Sequence, residues 1–459
     1  MNYLRQGAGF YRGVLRLMLP MILQNFVTNF MALADNFMVG GLSQTALSAV
    51  TMANTPFFVL MVACFGIQSG ASVLVAQYYG KGDLRTVSRV LGVGLYISMG
   101  VTAVAALLAA RFPLEMMRLL TNNSALWEMG ADYARIVGFS YFFGSISGIY
   151  LAVQRSVENP KVGAVILTAS GLLNIFLNWL FIFGSLGAPR MGVAGAALGT
   201  LLSRIFEVLA VLVHIRLDKR LPLFPRLIFR PGGVIFRDYV RFALPVLFNE
   251  LLWSAGISLY SVIFGHMPDN TALLAAYTVA SNLERVLNVA LIAAGNAAAV
   301  IIGRELGRGN QESVYGKAVA LNTVSLGVGA ASVLLLLFTR FFLAEQLIFP
   351  LMRLEPEAVG IALYMLTVLA CVSPLRALNL CNITGILRGG GDVRYATIMD
   401  VSFIYLACAP LAALAGLVLK LDIRYVYPLL CLDEVIKVWF CLARVRSRKW
   451  IRNITRDMA

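Results

Sequence analysis

One carboxylate, Asp35, lies inside the apolar stretch FMALADNFMVGGL. The nearest basic residues along the chain are Arg16 and Lys81, and Arg16 would be roughly 28 Å away along a helix that rises about 1.5 Å per residue. A charge at membrane depth costs roughly 2.5–3.5 kcal/mol on insertion scales. If this segment crosses lipid, Asp35 is therefore predicted to hold a proton or a small cation. The alternative is a carboxylate close enough to the outer surface to be hydrated.

Two amides follow in the run LLNIFLNWLFIFG. Asn174 and Asn178 are four residues apart and would share one face of a helix. Buried amides need partners, and a contact between helices is one explanation. The other is a shared site, because carbonyl oxygens are hard ligands of the kind that sodium favours.

A second acid, Glu250, lies in LPVLFNELLWS, about 14 Å along a helix from Arg241. It is predicted to lie near mid-depth without a partner on its own helix. Its role is either ion coupling or a polar contact between helices.

Further polar residues recur at helical spacing in the second half of the chain. Glu284 and Asn288 share a face, with Arg285 adjacent to Glu284 as a local counter-charge, and Arg376 and Asn379 are three apart. Two other spacings predict ion pairs within a helix. These are Arg204 with Glu207 and Asp433 with Lys437.

The composition indicates what must position these residues. The chain has 459 residues, of which 59% are hydrophobic and 13% charged, and its mean hydropathy is +0.79. Soluble domains have about 25% charged residues, so lipid is the expected solvent. The net charge is +15, and most of the basic residues lie in short loops between apolar runs. This placement argues against a nucleic-acid partner.

Twelve apolar runs are long enough to cross a bilayer as helices, and barrel strands are excluded because they would alternate polar and apolar residues. The predicted fold class is thus an all-α membrane protein with twelve transmembrane helices in two six-helix lobes. The runs lie at 17–39, 46–76, 90–110, 133–154, 162–184, 192–215, 242–266, 272–302, 318–339, 360–387, 395–419 and 425–443.

Lysine and arginine are distributed unequally between the two sides. The termini and the even-numbered loops carry 26 of them, and the other loops carry eight. The positive-inside rule then predicts a multi-pass protein of the cell membrane with both termini in the cytoplasm.

The two halves of the chain resemble each other. ASVLVAQYYGKGDLRTV (71–87) aligns without gaps on AAVIIGRELGRGNQESV (298–314), and RLMLPMILQNF (16–26) aligns on RFALPVLFNEL (241–251). A parallel repeat of six spans is typical of transporters that bind substrate between two lobes. The predicted parts are an N-terminal lobe (1–220), a cytoplasmic connector (221–241), a C-terminal lobe (242–443) and a basic tail (444–459).

Catalytic motifs are absent from the sequence. The glycine loops YYGKGDLR and ELGRGNQE lack a phosphate-binding frame and are interpreted as turns that end helices. The six cysteines lie in or beside apolar runs with no paired spacing, so neither a disulfide framework nor a structural metal site is expected. The protein is predicted not to be an enzyme and to need no cofactor beyond a coupling ion.

The chain resembles bacterial transporters of the multidrug and toxic compound extrusion (MATE) family. The resemblance rests on motifs in both halves, namely LPMILQNFVTNFMALADNFMVGGLSQTALSAV, GASVLVAQYYGKGD, NIFLNWLFIFG, GVAGAALGT, VIIGRELGRGN and GILRGGGDVRYA. It implies two six-helix lobes and export of organic, usually cationic and lipophilic, compounds driven by inward flow of protons or sodium. The superfamily also contains flippases of lipid-linked oligosaccharides.

The resemblance also implies roles for individual residues. Asp35 matches the family's acid in span one, and Glu250 matches an acid in span seven of the sodium-coupled branch. One branch has an aspartate where this chain has Asn178, and the sodium branch has an acid in span ten that this chain lacks. The predicted coupling residues are Asp35, Glu250, Asn174 and Asn178. A sodium ion could bind at Asp35, Asn174 and Asn178.

The predicted function is antiport of organic cations against protons or sodium, with proton coupling favoured by the number of available acids. The predicted substrate cleft includes Glu284, Asn288, Arg376 and Asn379. A flippase of a lipid-linked or polyisoprenoid substrate is the alternative, and it would need basic residues in the cleft to hold a diphosphate. The expected partners are small organic cations and the lipid bilayer, and the expected assembly is a monomer.

Overall fold

The protein is represented by a computed structural model that describes residues 6–267, 270–351 and 354–457. Within these ranges the regular elements are all helices. The predicted all-α class is confirmed, and the apolar runs found in the sequence are the source of the helices.

Eleven helices in the described part of the chain are long and apolar enough to cross a membrane. They are α1 (Ala8–Gly40), α2 (Gln44–Lys81), α3 (Leu84–Arg111), α4 (Ser124–Ser156), α5 (Pro160–Phe183), α6 (Val193–Leu217), α7 (Gly233–Gly265), α8 (Thr271–Gly307), α9 (Gln311–Ile348), α10 (Pro356–Leu387) and α11 (Val393–Val418). Short helices at Pro113–Leu120 and Pro225–Phe229 lie in the connections.

The twelfth predicted span is divided into two consecutive helices, α12 (Ile423–Leu430) and α13 (Leu432–Arg446). Asp433 and Glu434 occupy the first turn of α13. Carboxylates are stabilised at a helix N-terminus, which favours a new helix start at this point over a continuous one. Each of the other eleven predicted spans corresponds to one long helix, as the twelve-helix class requires.

The chain forms two compact units. In the described part of the chain, the N-terminal unit comprises Pro20–Leu247 with Asp457, and the C-terminal unit comprises Phe248–Arg456 with residues 6–19. These units are defined by contacts, whereas the predicted lobes were defined by the sequence repeat. The lobe and connector boundaries stay a prediction.

Two glycines confirm the interpretation of the basic glycine loops as turns. Gly82 follows α2 with φ +83°, and Gly309 follows α8 with φ +78°. Glycine adopts this left-handed conformation without the penalty that other residues incur, so it ends a helix readily.

Small residues allow close packing inside the N-terminal unit. A Cβ on Gly66 would lie 2.7 Å from Leu247 Cα, and one on Gly70 would lie 2.5 Å from Ala243 Cα. Pairs of small residues four apart are typical of helix contacts in lipid.

Many large apolar side chains point outward, among them Phe37 at 85% exposure. Such a surface suits hydrocarbon and indicates a membrane protein.

The orientation of the chain can be tested at the segment between Phe229 and α7. We expect a protease site inserted after Pro231 to be cut in inside-out vesicles and to resist protease in intact right-side-out cells, because the basic loops should face the cytoplasm. The measurement is fragment size on an immunoblot. A matched site inserted beside the exposed Arg190 should show the reverse pattern. Cleavage after Pro231 in intact cells would contradict the predicted orientation.

Candidate functional site

The structure brings Asp35 and Asn178 into direct contact within the N-terminal unit. Asp35 lies half-buried on α1, and Asn178 lies fully buried on α5. Asn178 donates a hydrogen bond from Nδ2 to Asp35 Oδ1 at 2.6 Å. A hydrogen bond to a charged acceptor is the stronger kind, and this one gives the predicted span-one acid a polar partner on α5.

Asn174 extends this polar contact to α6. Its Oδ1 lies 3.5 Å from Asn178 Nδ2, and its own Nδ2 lies 3.4 Å from Thr200 Oγ1. The two amides share one face of α5 as their spacing predicted. Asn178 Oδ1 is buried and accepts no hydrogen bond from the described residues. Carboxylate, amide and hydroxyl oxygens thus lie along one chain of contacts that runs through the two amide nitrogens. Oxygens of these types are the ligands that a sodium ion would use, and the carboxylate could instead hold a proton.

Arg204, on α6, pairs with Glu207 and not with Asp35. Arg204 Nη1 donates to Glu207 Oε1 at 2.7 Å, which confirms the predicted pair within the helix. Ser170 and Ser147 donate to Glu207 at 2.8 Å and 2.9 Å, so this buried carboxylate is well satisfied. In the described part of the chain, Asp35 has no ion-pair partner.

Glu250 is paired in the C-terminal unit, by a residue from another helix. Arg388, just after α10, donates from Nη1 to Glu250 Oε1 at 3.0 Å, and its Nη2 lies 3.6 Å from Asp400 Oδ2. Asn249 donates to Asp400 at 2.8 Å. The sequence predicted no partner on Glu250's own helix, and Arg388 lies one residue beyond the predicted run 360–387.

Asp400 also links this contact to α13. Lys437 Nζ lies 3.6 Å from Asp400 Oδ1 and 2.8 Å from Asp433 Oδ2. The second distance confirms the predicted pair between Lys437 and Asp433. Lys437 is only 3% exposed, and two acids surround its ammonium group.

A second network surrounds Arg376 of α10. Its guanidinium forms ion pairs with Glu284 of α8 and with Glu434 of α13, the latter at 3.0 Å from Nε. The local pairing of Glu284 with Arg285 was therefore wrong, because Arg376 of α10, two helices later in the chain, supplies the counter-charge. Asn379 donates to Glu434 at 2.7 Å, and Asn288 lies 3.4 Å from Glu284. The structure thus brings all four residues of the predicted cleft together.

A family model described as MatE matches residues 20–180 and 245–414, one segment in each half of the chain. The chain belongs to the MatE family. The resemblance seen in the motifs is confirmed, and the two matched segments follow the internal repeat.

Relatives of known sequence match this MatE chain over nearly its whole length. It is 23% identical over 439 residues to the "Uncharacterized transporter YisQ" of Bacillus subtilis, covering 95% of this chain and 94% of the relative. It is 22% identical over 459 residues to the "Probable multidrug resistance protein NorM" of Thermotoga maritima, covering 97% and 94%.

Solved structures share the fold. A transporter of the MOP superfamily from Pyrococcus furiosus matches with a TM-score of 0.86 at 19% identity, covering 97% of both chains. A multidrug resistance MATE family transporter in an outward-facing conformation matches with a TM-score of 0.85 at 19% identity, covering 97% and 98%. At such identities the likeness shows the fold alone.

The two networks of the C-terminal unit each contain one more acid than base. One network has Glu250, Asp400 and Asp433 against Arg388 and Lys437, and the other has Glu284 and Glu434 against Arg376. Each would carry one excess negative charge if every group were ionised. Because an uncompensated charge is costly away from water, each network is suited to hold a proton or a cation.

Five members of these networks were not predicted as site residues, and two of them, Asp433 and Lys437, were predicted only as an ion pair within a helix. The other three had no role assigned from the sequence: Asp400 lies in the predicted run 395–419, Glu434 lies in the run 425–443, and Arg388 lies one residue beyond the run 360–387. An inventory of every charge inside an apolar run would have found Glu434 and Asp400. Arg388 offers no such signal, because it follows the last turn of α10.

Proposed function

We propose that this MatE transporter is a secondary active antiporter that exports lipophilic organic cations across the cell membrane in exchange for protons. Family membership makes it a membrane transporter. The exchange, the cationic substrate and the ion are the proposed part. The competing ion is sodium, and both ions would bind at Asp35.

The contact between Asp35 and Asn178 carries this proposal. Asp35 lies in an apolar span, accepts one hydrogen bond from a buried amide, and forms no ion pair among the described residues. Such a carboxylate is stabilised at membrane depth by taking up a proton or a cation. Ion coupling requires a group that gains and loses an ion as its access to water changes, and the Asp35 carboxylate is such a group.

The orientation of Asn178 supports the proton over sodium. The amide presents its Nδ2 group to the carboxylate, and its Oδ1 atom does not face that oxygen. A sodium ion would need several oxygens at fixed distances around it, so the Asn178 amide would have to turn over. A proton needs no such rearrangement.

The basic residues inside the spans support cation export over the flipping of a lipid diphosphate. Three of these residues, Arg204, Arg376 and Lys437, each form an ion pair with at least one acid, whereas Arg285 forms none among the described residues. A guanidinium or ammonium group engaged in this way is less available to hold a diphosphate. The excess of acids in the C-terminal unit is likewise suited to a positively charged substrate.

Ethidium efflux from proteoliposomes tests the proposal. We expect efflux to rise with a proton gradient in sodium-free buffer, because proton uptake at Asp35 should drive the cycle. We also expect ethidium added to energised vesicles to release protons from the lumen, measured with an entrapped pH dye.

Matched vesicles with a sodium gradient and no proton gradient separate the two ions. Efflux that stays at the rate of empty vesicles until sodium is supplied would show that sodium is the coupling ion. Efflux absent under both gradients would contradict the antiport itself.

A further inference from the structure

Trp450 is fully buried although it lies near the end of the chain. It belongs to residues 447–456, here called the tail, and its exposure is 0%. Its Nε1 donates to the carbonyl of Val445 at 2.9 Å. Terminal segments are usually poorly ordered unless they are tied down, and a buried tryptophan supplies a large apolar contact for this purpose.

The surface on which the tail rests is the turn between α10 and α11. A Cβ on Gly390 would lie 2.8 Å from the carbonyl oxygen of Trp450, and Gly391 has φ +85° with Ile454 beside it. The amide of Arg452 donates to the carbonyl of Gly390 at 3.0 Å. Only glycine lets the two backbones approach this closely, so the turn and the tail are fitted to each other.

Asp392 connects the turn to α13 and to the tail by ion pairs. Its side chain is 3% exposed and accepts from Arg444 at 2.7 Å and from Arg452 at 3.2 Å. One of these bases lies at the end of α13 and the other in the tail. A buried carboxylate held by two bases resists displacement, because removing a partner would leave a charge uncompensated.

Arg388 is the first residue of the same turn. Its carbonyl accepts from the amide of Gly391 at 3.0 Å, while its buried side chain reaches Glu250 and Asp400. Its Nε has no hydrogen-bond partner among the described residues. The position of this guanidinium is therefore set by the turn and its two acids, and the turn is set by the tail.

We propose that the tail is a positioning element for transport. Its contacts through Trp450 and Asp392 hold the α10–α11 turn in place, and this turn orients the Arg388 side chain toward Glu250 and Asp400. Loosening the tail should weaken the counter-charge on those acids and change how the C-terminal unit responds to the coupling ion. The inference rests on the proposed function, because ion dependence is its readout.

The test compares tail variants of the full chain in proteoliposomes. The perturbing variants are Trp450→Ala, Asp392→Asn and the milder Arg452→Gln. The rescue variant is Trp450→Phe, and the control is Arg446→Gln, an exposed tail-side arginine with no ion pair in the described part of the chain. The ion needed for half-maximal efflux is measured twice, as protons in sodium-free buffer and as sodium at fixed pH, together with the KM for ethidium.

We expect the perturbing variants to shift the half-activating ion concentration by roughly three- to tenfold, the size of coupling within one network. The KM for ethidium, the rescue variant and the control should stay near wild type. In a Glu250→Gln background the shift caused by Trp450→Ala should become smaller, because one of the two acids that Arg388 contacts is then neutral.

An equal shift with and without Glu250, or a change confined to the KM, would overturn the inference. If wild-type protein shows no ion-driven efflux, the proposed function fails by itself. The inference is then decided by a thermal-unfolding cycle on purified Trp450→Ala, Glu250→Gln and the double variant, where additive effects would overturn it and coupled effects support it.

Discussion

Asp35→Asn is expected to abolish ion-driven efflux while leaving the amount of protein in the membrane near that of wild type. The amide cannot exchange a proton, and it is a weaker cation ligand than a carboxylate. It can still accept the hydrogen bond that Asn178 donates to Asp35 at 2.6 Å, so the contact between α1 and α5 should persist. The measurement is ethidium efflux at matched expression, and the expected rate is that of empty vesicles.

Glu115→Gln is the matched control for this variant. Glu115 is an exposed acid in the short helix Pro113–Leu120, and its substitution removes the same charge by the same chemistry. Its efflux should equal that of wild type. Wild-type efflux in Asp35→Asn as well would remove Asp35 from the coupling mechanism, whatever the behaviour of Glu250.

The helices were predictable because lipid imposes a simple rule on sequence. A spanning helix needs about 20 apolar residues, and eleven of the twelve apolar runs form one long helix each. The rule failed at Leu432, where α13 begins. Hydropathy averages over a window and ignores local charge, so it could not detect that Asp433 and Glu434 favour a new helix start.

Spacing along one helix predicted part of the site. The four-residue interval of Asn174 and Asn178 correctly placed both amides on one face, and the same interval placed Lys437 beside Asp433. Such predictions work because a helix fixes the geometry of residues three and four apart.

Contacts between helices could not be derived in this way. Arg388 and Glu250 are separated by 138 positions, and Glu284 meets Arg376 from another helix. Their pairing depends on how each helix is rotated and shifted against its neighbours, which a single sequence does not specify. For Arg388 the turn that holds it is itself held by the tail, so its direction depends on residues more than 50 positions away.

Arg204→Met is expected to destabilise the protein by about 3–5 kcal/mol, because it leaves Glu207 as a buried carboxylate without its base. Adding Glu207→Gln should recover most of that loss. The neutral amide can still accept from Ser147 and Ser170, the two hydroxyl donors of Glu207. Thermal unfolding of the purified variants measures both effects, and Glu207→Gln alone is the remaining corner of the cycle.

Transport by the double variant then tests whether Asp35 acts without a basic partner. Arg204 pairs with Glu207, so removing both groups leaves the contact between Asp35 and Asn178 as it was. We therefore expect Arg204→Met/Glu207→Gln to regain ion-driven efflux together with its stability. A stable double variant that does not transport would show that Arg204 serves Asp35 directly during the cycle. In that case Arg204 would compensate the charge of the Asp35 carboxylate when its ion leaves, and the hydrogen bond from Asn178 would be a lesser contribution.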